Sequence, residues 1–167
     1  MNTAEEANKI VERSENFGRH ITETLCNKLG WEYENCDELY KPYDCFITID
    51  GKRHIGEIKV RDIKFATKPT LHFEVKKYNN LLVEADKENV DGILYINWLG
   101  NECYVFDVTD ELIMNSRMIE SFSNRVTAMS RLDEDKVYKE MYLLPKRLAR
   151  RHVLRDYDRI VMEIQGN

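Results

Sequence analysis

The chain has 167 residues, of which 43% are hydrophobic and 33% charged, with only seven glycines and three prolines. That suits one domain with a substantial core and excludes collagen-like, low-complexity and acidic disordered chains. Twenty-five basic against thirty acidic side chains leave −5, which argues against coating nucleic acid through bulk charge but leaves room for a local site.

No stretch approaches the roughly 18–20 apolar residues that a bilayer span requires. The N-terminal run MNTAEEANKIVERSE is acidic and lacks the apolar core of a secretory signal. The expected location is therefore the reducing cytoplasm. Cys26, Cys36, Cys45 and Cys103 form no Cys-x-x-Cys pair and read as free, partly buried thiols.

In chain order, Ala4 to Leu29 avoids proline and repeats Phe17, Ile21 and Leu25 on one stripe, predicting a long helix that Gly30 stops. Trp31 to Cys36 alternates and predicts a short strand. Tyr43–Ile49 and His54–Val60 are strand-like runs around Asp50-Gly51-Lys52-Arg53, a strong hairpin signal. A polar loop from Arg61 to Thr70 precedes a second helix over Leu71–Lys87, where Leu71, Val75, Tyr78, Leu82 and Ala85 fall at helical spacing. Gly92–Asn97 and Glu102–Val108 then predict two strands around Leu99-Gly100-Asn101. The step from strand 54–60 through the second helix to strand 92–97 implies a parallel pair with a right-handed crossover.

Beyond residue 108, Thr109 is placed to cap a helix running to about Glu120. Lys136–Leu144 fits a strand or a helix, and Pro145 fits the first turn of a final helix. Residues 145–167 carry a local excess of positive charge, which suits either phosphate contact or a solvated amphipathic helix. The expected architecture is α/β, a mixed central sheet flanked by helices. Residues 1–108 form its core, and 109–167 a C-terminal extension packed on that core within a single domain.

The chemistry concentrates in the hairpin. A two-residue Asp50-Gly51 turn sets Ile49 against Lys52, Phe46 against Ile55 and Asp44 against Glu57, with Lys59 on the same face. Two facing carboxylates ask for a cation, and oxygen ligands of this kind suit Mg²⁺ or Mn²⁺, which retain waters and accept phosphate oxygens. A neighbouring ammonium can orient a nucleophile or neutralise developing charge. This combination points to phosphodiester hydrolysis, although an Asp-, Glu- and Lys-rich surface hairpin is also a common structural element.

At Asp44, in Pro42-Tyr43-Asp44, and at Glu57-Ile58-Lys59 the sequence resembles the PD-(D/E)XK nuclease superfamily, within it most closely the Holliday-junction resolvases of RecU and archaeal type or related phage and mobile-element nucleases. The resemblance implies a restriction-endonuclease-like core of helix, three strands, helix and strands, which covers about residues 5–108. It implies metal ligation by Asp44, Glu57 and the Ile58 main-chain carbonyl, with Lys59 as catalytic lysine and Glu15 of the first helix completing the site. The cofactor would be Mg²⁺, or Mn²⁺ in its place, and the partner DNA. Arg61, Lys64, Lys76 and Lys77 are candidate nucleic-acid contacts. RecU-type enzymes carry a glutamine on the second helix, and none lies between Leu71 and Lys87. The proline–aspartate pair is also interrupted by Tyr43. Symmetric junction cutting would imply a homodimer. The alternatives are a restriction-like or defence nuclease and an inactive nuclease-fold module for DNA binding or assembly. Tyr40, Tyr43 and Tyr78 are candidates for base stacking, against the commoner role of tyrosine in packing.

Overall fold

A computed structural model describes residues 4–124 and 136–166; the stretch 125–135 of the expected C-terminal extension lies outside the described residues. The first helix, α1 (Ala4–Leu29), ends where expected, at Gly30 with φ +72°, a conformation glycine adopts freely. Strands β1 (Glu32–Asn35), β2 (Cys45–Ile49) and β3 (Lys52–Val60) follow. A 3₁₀ turn over Ile63–Thr67 leads to β4 (Thr70–Glu74) and α2 (Val75–Lys87). After β5 (Gly92–Leu99) and β6 (Glu102–Asp107) come α3 (Asp110–Met114), β7 (Arg117–Asn124), β8 (Lys136–Pro145), β9 (Arg150–Val153) and α4 (Tyr157–Gln165). No helix among the described residues is long and apolar enough to cross a membrane.

The central sheet has strand order β1-β2-β3-β5-β6-β9 and is mixed: β3 and β5 run parallel, and the other neighbours antiparallel. The α/β class, the mixed sheet and the crossover from β3 through α2 to β5 are as the sequence predicts. One sheet face packs Ile58, Ile96, Trp98 and Val105 against Ile21, Leu25 and Cys26 of α1 and Ile160 of α4. A polar bridge fixes this layer: Trp98 Nε1 donates to Thr22 Oγ1 at 3.0 Å, and that hydroxyl donates to the Gly18 carbonyl at 2.7 Å. Every polar atom of the buried indole is thus satisfied.

The other face packs Ile55, Ile93, Tyr95 and Phe106 against Tyr78 and Leu81 of α2, Leu112 of α3 and a second, three-stranded sheet of order β4-β8-β7. This second sheet corrects three expectations. Leu71–Glu74, read as the start of the second helix, is strand; it alternates buried and half-buried residues and pairs antiparallel with β8. The helix capped by Thr109 stops at Met114, because the chain turns into β7 rather than continuing to Glu120. Pro145 closes β8 instead of opening a final α-helix; the basic run after it makes a 3₁₀ turn over Lys146–Leu148 and then β9, the sheet edge against β6, and α-helix resumes only at Tyr157. Most of the charge there is spent internally: Arg150 bonds Asp107, Arg151 bonds Glu102, and Arg159 bonds Asp156. Lys146 donates to the Phe65 and Ala66 carbonyls.

All four cysteines are buried and free, and burial pushes the Cys26 thiol up to about 12. A thiolate is the reactive form. Ellman's reagent is therefore expected to leave all four thiols untouched in the native protein and to titrate all four in urea. Rapid native-state reaction of any one would contradict this packing.

Candidate active site

The hairpin turn has Asp50 and Gly51 both at positive φ, +51° and +77°, the type I′ geometry whose twist matches the flanking strands. Its register is as expected from Ile49↔Lys52 to Cys45↔Gly56. It then slips. Asp44 N–H donates to the Gly56 carbonyl at 2.8 Å, so the ladder does not continue to an Asp44↔Glu57 pair. In compensation the Asp44 carboxylate accepts the Ile58 N–H at 2.8 Å, one strand position beyond Glu57. The slip has a cause in the loop that precedes β2. Asp44 is drawn toward β1 by the Cys36 N–H on its carbonyl, while Lys77 of α2 donates to the Pro42 carbonyl at 3.0 Å and Tyr43 donates to Glu88 at 2.9 Å. Helix α2 thereby holds the segment that carries Asp44.

Glu57 is only 3% exposed. Its Oε1 lies 2.8 Å from Lys59 Nζ and 3.2 Å from Lys77 Nζ. The strand period puts Glu57 and Lys59 on one face, where they register with Tyr95 and Asn97 of β5. Burial pushes the Glu57 carboxyl above the usual glutamate range; Lys59 and Lys77 pull the other way, and Asp44 adds to the rise. Burial pulls the Lys59 ammonium down, yet Glu57 outweighs it and the net shift is upward. Lys59 is thus held charged.

Helix α1 reaches the site through Gly18. A Cβ there would lie 3.1 Å from Ile58 Cγ2 and 3.2 Å from Val60 Cγ2, so glycine permits the close crossing over β3. The crossing sets Arg19 Nη2 3.4 Å from Asp44 Oδ1 and leaves Arg19 Nε buried without a partner. Glu15, one turn earlier, lines the same cleft and acts on the Arg19 charge. Among the described residues no group of three or more His, Cys, Asp or Glu is placed to hold a metal, so Glu15 does not close a three-carboxylate set in this arrangement.

Asp44, Glu57, Ile58, Lys59 and Glu15 all line one cleft of about 800 Å³. Of the candidate nucleic-acid contacts, Lys77 and Arg61 line it as well, whereas Lys64 and Lys76 are exposed elsewhere. Arg61 is committed internally, donating to Asn97 Oδ1 at 2.9 Å, to the His72 carbonyl at 2.6 Å and to Tyr95 Oη. It braces β3 against β4 and β5 rather than presenting a free guanidinium. Sequence reasoning missed Arg19 and Lys139, the latter of β8 and bonded to Glu74 at 3.2 Å. The four-residue step from Glu15 to Arg19 on a helix was a usable signal. Lys139 had none, because it arrives through a strand pairing distant in sequence.

The donor set fits a small hard cation. Two carboxylates, close enough for Asp44 to raise the Glu57 pKa, stand beside the Ile58 peptide in a wide cleft. Mg²⁺ commonly takes one or two protein carboxylates and completes its shell with water and phosphate oxygens. Comparison with protein-family models, curated proteins and solved structures returns no match to this chain.

Proposed function

We propose that this chain is a metal-dependent nuclease of PD-(D/E)XK type that hydrolyses DNA phosphodiester bonds. The observation that carries the reading is the convergence of Asp44, Glu57 and Lys59 in one cleft, with a second ammonium, from Lys77, 3.2 Å from Glu57. The restriction-endonuclease-like core implied by the resemblance is in keeping with the α1, hairpin, α2, β5 order.

Asp44 and Glu57 would hold Mg²⁺ or Mn²⁺, with the Ile58 carbonyl as a main-chain ligand. A cation there polarises the phosphorus centre and lowers the pKa of bound water. Lys59 keeps a positive charge at the floor of the cleft, where it orients an attacking water or neutralises charge that develops on phosphate. Lys77 does two things. It balances Glu57, and it fixes the loop carrying Asp44 through the Pro42 carbonyl. Arg19 shields Asp44 from the side of α1.

One observation favours a second reading, a nucleic-acid-binding module without hydrolysis: both carboxylates already have cationic side-chain partners. One experiment separates the two. Wild type and Asp44→Asn are incubated with plasmid and four-way-junction DNA in Mg²⁺, Mn²⁺ or EDTA. Asparagine keeps an oxygen for the Ile58 N–H and so preserves the local fold. The expected result is metal-dependent cleavage that disappears in EDTA and in Asp44→Asn. Metal-independent binding with no cleavage selects the second reading, and preference for the junction selects a resolvase.

A further inference from the structure

Part of the cleft lining is apolar and faces water. Ile10 of α1, Leu39 and Tyr40 of the loop between β1 and β2, and Val60 of β3 all line it, and all are exposed: Leu39 is 83% and Tyr40 100% accessible. Tyr40 also has φ +69°, a left-handed conformation that bulky residues rarely take. Local folding gains nothing from a tyrosine at this position, since the ring is unburied and the backbone favours glycine. Backbone strain of this kind concentrates at ligand-binding sites. The other two tyrosines considered for stacking, Tyr43 and Tyr78, are buried in the core.

The same cleft also holds the opposite chemistry. Lys59 and Lys77, both paired with Glu57, line it, and cationic side chains slightly outnumber carboxylates along it, although the chain as a whole carries −5. An occupant that uses both features offers an anionic group to the lysines and a flat apolar face to Leu39 and Tyr40. A nucleotide does both. A base-paired duplex does not, because its base faces are stacked inside the helix. An unpaired nucleotide leaves its base free to stack on an aromatic ring.

We infer that the Leu39–Tyr40 rim is a base-stacking subsite that takes an unpaired nucleotide next to the phosphate held at Asp44, Glu57 and Lys59. The inference rests on the nuclease reading and names its substrate class: single-stranded or locally unpaired nucleic acid rather than continuous duplex.

The test measures affinity for a labelled DNA single strand, its RNA equivalent and a blunt duplex of the same sequence, with Ca²⁺ in place of Mg²⁺. Proteins compared are wild type, Tyr40→Ala, Tyr40→Trp and Tyr40→Gly. Wild type is expected to prefer a single strand. Tyr40→Ala and Tyr40→Gly should weaken single-strand binding about five- to a hundredfold, the range for one lost stacking contact, and leave duplex binding unchanged. Tyr40→Trp should retain affinity. Tyr40→Gly relieves the left-handed backbone, so its melting temperature should equal or exceed that of wild type, which separates lost stacking from lost folding. A 2-aminopurine in the strand should be quenched by wild type and not by Tyr40→Ala. The inference is overturned if Tyr40→Ala binds the single strand as wild type does, if it loses both forms alike, or if wild type prefers the duplex. Failure of wild type to bind or cut any nucleic acid overturns the nuclease reading and this one together. Cleavage that is indifferent to Tyr40 overturns only this one.

Discussion

Glu57→Gln is expected to lower metal-dependent DNA cleavage at least about a hundredfold, the scale set by losing support at a catalytic metal. The substitution keeps size and shape and removes one charge. Two ammonium groups, Lys59 and Lys77, then share a neutral amide where they shared a carboxylate. Removing one partner from a fully buried pair costs about 3–5 kcal/mol; both lysines reach solvent here, so a loss of about 1–2 kcal/mol is the appropriate scale. Adding Lys77→Met removes the repulsion but also the bond to the Pro42 carbonyl, so it should recover part of the stability and none of the activity. Urea midpoints and cleavage rates measured on wild type, Glu57→Gln and the double variant check both parts.

The same carboxylate sets a pH dependence. Burial raises the Glu57 pKa above that of the unfolded chain, and the two lysines only partly reverse it. Below the ordinary glutamate range the carboxyl is protonated in both states. As pH rises through the raised folded value, the fold must ionise a buried acid, and its contribution to stability declines. On the proposed nuclease reading cleavage runs the opposite way, since a metal would need the ionised form. Its acid limb is expected above the ordinary glutamate pKa, and Lys77→Met should move that limb to higher pH. A limb unmoved by Lys77→Met would show that Lys77 does not govern this carboxylate.

How much of this site can be read from the chain depends on how local each contact is. The Asp50-Gly51 turn specifies its own geometry, and Glu57 and Lys59 share a face through strand alternation alone. The slip at Asp44 is different. It depends on Cys36, Lys77 and Glu88, residues that reach the loop only once β1 and α2 are in place. The second sheet is equally non-local. Thr70–Glu74 begins an apolar pattern that continues at helical spacing, yet Leu71 and Phe73 also alternate, and β8 supplies a partner that decides for strand. Within α2 the buried positions are Tyr78 and Leu81, whereas Leu82 is exposed, because the helix is rotated to face both β5 and β8. Periodicity finds an element; its partner decides its type and rotation.

Gly56→Ala is expected to be among the most destabilising single-methyl additions in the chain. Gly56 is buried in β3, one residue before Glu57, and an added Cβ would lie 2.7 Å from Cys45 Sγ and 3.4 Å from Ile96 Cδ1. Alanine in a strand normally gains about 0.5–1 kcal/mol over glycine. Overpacking a closed core costs about 1–3 kcal/mol, and Cys45, wholly buried, has nowhere to yield. The net loss should be about 1–2 kcal/mol, or roughly 2–8 °C in melting temperature for a chain of this size. Cys45→Ala in the same protein removes the sulfur that the methyl meets. The double variant should then be more stable than Gly56→Ala alone, with a coupling of about 1–2 kcal/mol. The clash also has a functional direction. Gly56 O accepts the Asp44 N–H at 2.8 Å, so pushing β2 from β3 displaces the Asp44 carboxylate relative to Glu57. Cleavage should therefore fall in Gly56→Ala even at temperatures where it remains folded, and return in the double variant. Stability rescued without activity would mean that Asp44 is not positioned through this hydrogen bond.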